Sequence, residues 1–170
     1  AGHVYPALDL IKQLTLQKKW QIIFVTDSRG RALLPDEADF EMYVSVMPRY
    51  RGRYSMINPV FWFKVVCEAL TARNVVRQQS VILAMSFGGF LSIPWIGMAK
   101  LMRVQTCLHE QNVKPGKANA LLLKWVDRYY VVFEESKRII DSNSRCVWTG
   151  FSISKRTHLI SAEEARAALG

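Results

Sequence analysis

The stretch VILAMSFGGFLSIPWIGMAKLMRVQTCLHEQN, residues 81–112, decides the fold of this chain. Residues 81–85 are a short apolar run that stops at Ser86-Phe87-Gly88-Gly89, the pattern of a buried strand entering a tight turn. Beyond the turn, Ser92 is placed to cap a helix whose apolar face is made by Ile93, Ile96, Met98, Ala99, Leu101 and Met102. Residues 104–108 then read as a second strand that delivers His109-Glu110-Gln111-Asn112. Strand, glycine turn, helix and strand make a βαβ unit. Its crossover rule puts the Gly-Gly turn and the polar tetrad at the same carboxyl edge of a parallel sheet, where open α/β sheets bind ligands. Residues 81–99 carry no charge and are long enough to span a bilayer, but the glycine pair, Ser86, Ser92, Pro94 and the β-prone start argue against a spanning helix.

At 170 residues the chain suits one domain with a sizeable core. It has 23 basic against 14 acidic side chains, a net charge of +9, which suits an anionic partner: nucleic acid, a phosphorylated ligand or an anionic membrane surface. Cys67, Cys107 and Cys146 lie far apart in apolar contexts and read as reduced, mostly buried thiols rather than disulfides or a metal site. No Cys or His pair has zinc-ligand spacing, and no Gly-x-Ser-x-Gly nucleophile elbow is present. The chain opens on Ala1-Gly2-His3 without a secretory signal, and a Gly-His turn feeding a helix predicts an α/β domain whose first strand is missing.

Outward from the central unit, residues 4–17 have helical apolar spacing with Pro6 in the first turn, and residues 22–26 read as a strand. Asp27 follows that strand, a place where dinucleotide-binding domains hold a ribose, although the full glycine pattern is absent. A short helix over 30–38 and a strand over 41–47 come next. The segment PRYRGRY, residues 48–54, reads either as a clamp for phosphates or lipid headgroups or as a solvated basic loop. Residues 58–79 form the longest helix. A helix cannot aim Phe61, Trp62 and Phe63 at one core, so an exposed aromatic patch is expected there, with Lys64, Arg73 and Arg77 following, the make-up of an interfacial membrane contact. Further on, the pattern predicts a helix over 117–126 with Asn119 in its first turn, a strand over 128–133, a helix over 134–142 and a strand over 146–149. Ser161 and Glu164 form a capping box that opens a helix over 162–169.

His3, at a helix amino end, is placed to bind an anion or take a proton from a hydroxyl; it also reads as an exposed terminal histidine. Gly88-Gly89 lets a phosphate or sugar approach the backbone, as any tight turn does. The tetrad packs four polar side chains together, with 109 and 111 pointing one way and 110 and 112 the other. Such a set suits a ligand with many hydroxyls, or else His109 and Glu110 stitch adjacent loops.

Gly2-His3-Val4-Tyr5-Pro6-Ala7-Leu8, Phe87-Gly88-Gly89-Phe90-Leu91-Ser92 with Pro94, His109-Glu110-Gln111-Asn112 followed by Pro115-Gly116 and Asn119, and Thr149-Gly150 together resemble the acceptor-domain motifs of the MurG family. Arg51-Gly52 is similar to that family's Arg-Gly loop, while Phe151-Ser152-Ile153-Ser154 stands where the family has Asn-Pro-Val-Arg, with Lys155 and Arg156 beyond. The resemblance implies a Rossmann-like parallel sheet with helices on both faces, the N-terminal half of a GT-B glycosyltransferase. Residues 1–155 would be its acceptor and membrane-binding domain, and residues 156–170 a linker and helix leading to a separate donor domain. The activity implied is inverting transfer of N-acetylglucosamine from UDP-N-acetylglucosamine to the muramyl 4-hydroxyl of undecaprenyl-diphosphate-linked muramyl pentapeptide, in peptidoglycan synthesis. It involves no metal, no cofactor and no nucleic acid, takes place at the cytoplasmic face of the bacterial inner membrane, and is inactive in this half alone. The residues implied are His3 and Glu110 for catalysis, Gly88, Gly89, Phe90, His109 and Asn119 for the acceptor, and Gly2 and Asn112 for the donor. Phe61, Trp62, Phe63 and Lys64 are implied for the membrane. The alternative is a non-catalytic membrane-recruiting subunit of a split GT-B enzyme.

Overall fold

The computed structural model describes residues 3–34, 40–48, 50–140, 145–150 and 166, the side chain of Met56 aside. The described chain runs α1 (Val4–Leu16), β1 (Ile23–Asp27), α2 (Ser28–Arg31), β2 (Glu41–Ser45), α3 (Arg53–Met56), α4 (Pro59–Gln78), β3 (Leu83–Ser86), α5 (Ser92–Leu101), β4 (Gln105–Glu110), α6 (Lys117–Leu122), β5 (Arg128–Val131), α7 (Glu134–Ile140) and β6 (Cys146–Trp148). Every strand pairing is parallel. The strands form two ladders, β1-β2 and β3-β4-β5-β6, where a single sheet was expected. Strand alternating with helix leaves no other economical pairing, because a parallel neighbour needs a long crossover between its strands.

The core lies under the four-stranded ladder. Ile96 of α5, Leu108 of β4, Leu122 of α6, Val126 ahead of β5, Tyr129 and Val131 within it and Cys146 of β6 are buried against one another. β4 runs through the centre with Thr106, Cys107 and Leu108 all buried, as a strand covered on both faces must be. A second cluster, Val76, Ala99 and Val104, joins the end of α4 to α5. Polar bonds tie β2 into this frame. Glu68 of α4, itself buried, accepts from the Ser45 hydroxyl of β2 and from the Trp95 indole of α5 at 3.0 Å.

Several expectations are corrected. β4 extends two residues further than the apolar run, because His109 and Glu110 pair in register with Tyr130 and Val131. Ser92 does not cap α5; its hydroxyl instead donates to the Gly88 carbonyl at 3.0 Å. Asp27 is committed as the cap of α2, accepting from Gly30 N–H at 2.9 Å and from Arg29, so it is not a free ribose ligand. Cys67 is exposed rather than buried. α3 was not expected, and α6 stops short of residue 126. The expected helix over 162–169 lies, apart from Arg166, outside the described residues.

α4 shows which aromatics the core takes. Asn58 caps it, accepting from Val60 N–H at 2.9 Å, and Pro59 occupies the first turn without cost. Phe61 turns inward, 3 % exposed, against Tyr50 and Phe90. Its assignment to a membrane contact is therefore wrong. Trp62 and Phe63 stay exposed, and Val60, Phe63, Val66 and Leu70 form an exposed apolar stripe along the outer face. Lys64 is half-buried beside it. No helix among the described residues is long and apolar enough to cross a membrane.

Candidate active site

The carboxyl edge of the larger ladder gathers the glycine turn, the polar tetrad and the start of α1. Gly88 and Gly89 have φ of +112° and +91°, values that favour glycine. The turn is stitched by two serines: Gly88 N–H donates to Ser86 Oγ at 3.0 Å, and the Ser86 hydroxyl meets that of Ser92. A Cβ on Gly88 would lie 3.1 Å from Cε1 and Nδ1 of His3, so the missing side chain is also what lets the imidazole approach. Gly89 is open to solvent, and Phe90 is spent on stacking with Tyr50 at 4.4 Å between ring centres.

His3 is the exposed residue at the amino end of α1, with no side-chain cap bond of its own. Its Nδ1 lies 2.9 Å from Oε1 of Gln111. Gln111 Nε2 in turn lies 3.0 Å from Nδ1 of His109, whose ring tilts against Phe87. Burial pushes the His109 imidazole below its ordinary pKa, and the neighbouring Glu110 charge offsets this only in part. The tetrad thus divides as its alternation requires, with His109 and Gln111 on one side and Glu110 and Asn112 on the other.

Glu110 is not aimed at the cleft. Its carboxylate, 3 % exposed, accepts from Asn112 N–H and Nδ2 at 3.0 and 2.9 Å, and from Gly116 N–H and Asn119 Nδ2 at 3.0 and 2.9 Å. A carboxylate holding four donors has no lone pair left for proton transfer to a substrate. The expectation of Glu110 as a catalytic group is corrected accordingly: it builds the loop after β4. Asn119 is buried, and its Oδ1 has no hydrogen-bond partner among the described residues. Asn112 commits its amide nitrogen to Glu110 and is exposed. Gly2 and, apart from Arg166, the residues after Gly150 lie outside the described residues, and no cluster of metal-ligating side chains occurs among the described ones.

Gln111 was assigned no role of its own, although the alternation of the tetrad already placed it beside His109. The basic segment is present in part: Arg51 and Arg53 are exposed around Gly52, and Arg51 N–H donates to Ser55 Oγ at 2.7 Å.

Parallel ladders flanked by helices, with a glycine turn and a polar strand end at one edge, are the architecture of the N-terminal half of a GT-B glycosyltransferase. The chain belongs to glycosyltransferase family 28: residues 1–131 match the family's N-terminal domain. It is 30 % identical, over all of its own length and 47 % of the relative's, to a protein of Acetivibrio thermocellus named UDP-N-acetylglucosamine--N-acetylmuramyl-(pentapeptide) pyrophosphoryl-undecaprenol N-acetylglucosamine transferase. A protein of the same name from Alkaliphilus metalliredigens is 31 % identical over 96 % of this chain and 45 % of the relative. The chain spans about half the length of the curated relatives it matches. In fold it matches the crystal structure of Acinetobacter baumannii MurG with a TM-score of 0.70 at 24 % identity, over 92 % of this chain and 43 % of that one.

Proposed function

We propose that this chain is the acceptor half of an enzyme that transfers N-acetylglucosamine from UDP-N-acetylglucosamine to the muramyl 4-hydroxyl of undecaprenyl-diphosphate-linked muramyl pentapeptide, in peptidoglycan synthesis. The observation that carries the reading is the meeting of His3, the Gly88-Gly89 turn and the tetrad at one sheet edge. In this reading His3 is the general base. As the acceptor oxygen bonds to the anomeric carbon from the face opposite the leaving group, the bond to UDP breaks and the hydroxyl proton passes to the imidazole, with inversion. Such a base contributes about 10²–10⁴-fold. Gly88, Gly89, Phe90, His109 and Asn119 line the acceptor side, where the orphan Oδ1 of Asn119 can accept from a ligand N–H or hydroxyl. The donor side is assigned to Gly2 and Asn112 by the family resemblance alone. Glu110 acts through the loop it organises. The reaction needs no cofactor beyond its two substrates.

Residues 1–155 form the acceptor and membrane domain in this reading, and 156–170 lead to the half that holds the nucleotide. The exposed stripe of α4, with Trp62, Phe63 and Lys64, seats the domain on the anionic cytoplasmic face of the inner membrane. The names of the relatives support the substrates. The test is to give the full-length protein UDP-N-acetylglucosamine and a soluble analogue of the lipid acceptor. The disaccharide product is expected, and no turnover by folded protein counts against the assignment.

A further inference from the structure

Gln111 lies between two imidazoles, and its neighbours favour one orientation of its amide. Its Nε2 is 3.5 Å from the backbone carbonyl oxygen of His109 and 3.0 Å from Nδ1 of the same residue. An oxygen at that position would face a carbonyl oxygen with no proton between them, which favours the NH₂ at this end of the amide. The other end, Oε1, is then the atom 2.9 Å from His3 Nδ1, and an acceptor there requires a proton on that nitrogen. We propose that Gln111 is a positioning residue that holds His3 as its Nδ1–H tautomer, with Nε2 left as the lone-pair base, and holds His109 as the opposite, Nε2–H tautomer.

The assignment matters because a histidine side chain in water favours Nε2–H, which leaves no lone pair on Nε2. Gln111 reverses that preference at His3, and as a neutral amide it does so without adding a charge beside the base. In serine proteases a buried carboxylate sets the tautomer of the catalytic imidazole in the same sense. The surroundings agree. Burial of His109 disfavours its charged form, which keeps Nδ1 free to accept from Gln111. Glu110, the charged neighbour of that ring, is occupied by Asn112, Gly116 and Asn119. Tyr130, the register partner of His109 on β5, is engaged with Cys107. Among the described residues His3 makes no ion pair; its ring lies against Gly88 and Gln111.

The role of the His3 base rests on the proposed function; the tautomers do not. They are read directly from long-range ¹H–¹⁵N spectra of the full-length protein labelled at its histidine rings. The parent should show a pyridine-type Nε2 on His3 and a pyridine-type Nδ1 on His109. Gln111→Leu should move His3 to Nε2–H and lower kcat about tenfold, the scale of one hydrogen bond's bias, with acceptor KM within about twofold. Gln111→Glu keeps an acceptor toward His3, so it should preserve that tautomer and more of the turnover than leucine does, while forcing a proton onto His109 Nδ1. Nε2–H on His3 in the parent, Nδ1–H persisting in Gln111→Leu, or an unchanged His109 in Gln111→Glu would each overturn the proposal. Should the leucine variant not fold, the parent and Gln111→Glu spectra decide it alone. Correct tautomers in a parent that transfers no sugar would sink the functional reading and leave this one standing.

Discussion

Replacing Glu110 with glutamine keeps the shape of the side chain and removes half of what it accepts. The carboxylate holds four N–H donors in two pairs, Asn112 N–H and Nδ2 on Oε1, Gly116 N–H and Asn119 Nδ2 on Oε2, all at 2.9–3.0 Å. In glutamine one of the two oxygens becomes an NH₂ group. Whichever way the amide settles, two donors then face a third, and at 3 % exposure water cannot take the place of the lost acceptor. Two charge-assisted hydrogen bonds at about 1.5 kcal/mol each put the loss at about 3 kcal/mol. Because Asn112 and Gly116 belong to the loop beyond β4, that loop opens first. Their backbone amides should exchange with deuterium about a hundredfold faster than in the parent, and the thermal midpoint should fall. Parent-like exchange at both amides with an unchanged midpoint would refute the reasoning. Turnover should fall as well, so the signature of this residue is coupled loss of stability and activity.

Gly88→Ala places a Cβ 3.1 Å from the His3 ring at a φ of +112°; we expect about 1–2 kcal/mol of lost stability and a fall in kcat larger than that loss explains, read by comparing unfolding midpoints with turnover. On α4, Phe61→Ala should cost about 3 kcal/mol of stability, whereas Phe63→Ser should leave the midpoint unchanged and weaken sedimentation with anionic vesicles. His109 has its affinity for protons lowered by burial from the ordinary value of 6.5, so at acid pH the unfolded chain binds more protons than the folded one. Its contribution is present above that value and is lost as pH falls through the folded pKa. Denaturant midpoints taken between about pH 5 and 8 should decline on the acid side, and His109→Gln should flatten the decline.

The sheet was legible because glycine and polar residues punctuate its apolar runs: Gly88-Gly89 and the tetrad after residue 108 bound β3, α5 and β4 to within two residues. β4 was drawn short for the same reason, since His109 and Glu110 look like loop residues until Tyr130 and Val131 are seen beside them. One-turn α3 has no period to detect. Three aromatics in a row told that some must face solvent, but which one does not was decided by Tyr50 and Phe90, remote in sequence. Glu110 was misassigned because its environment is made by Gly116 and Asn119 folding back over it, a tertiary fact with no local signature.

The central claim is that the imidazole at the start of α1 takes the acceptor's proton beside the Gly88 turn. The most direct measurement is kcat of His3→Ala against the parent in the full-length protein, with UDP-N-acetylglucosamine and the lipid-acceptor analogue. A fall of about 10²–10³-fold, with acceptor KM within a few fold and an unchanged unfolding midpoint, is predicted. Turnover equal to that of the parent would contradict the account.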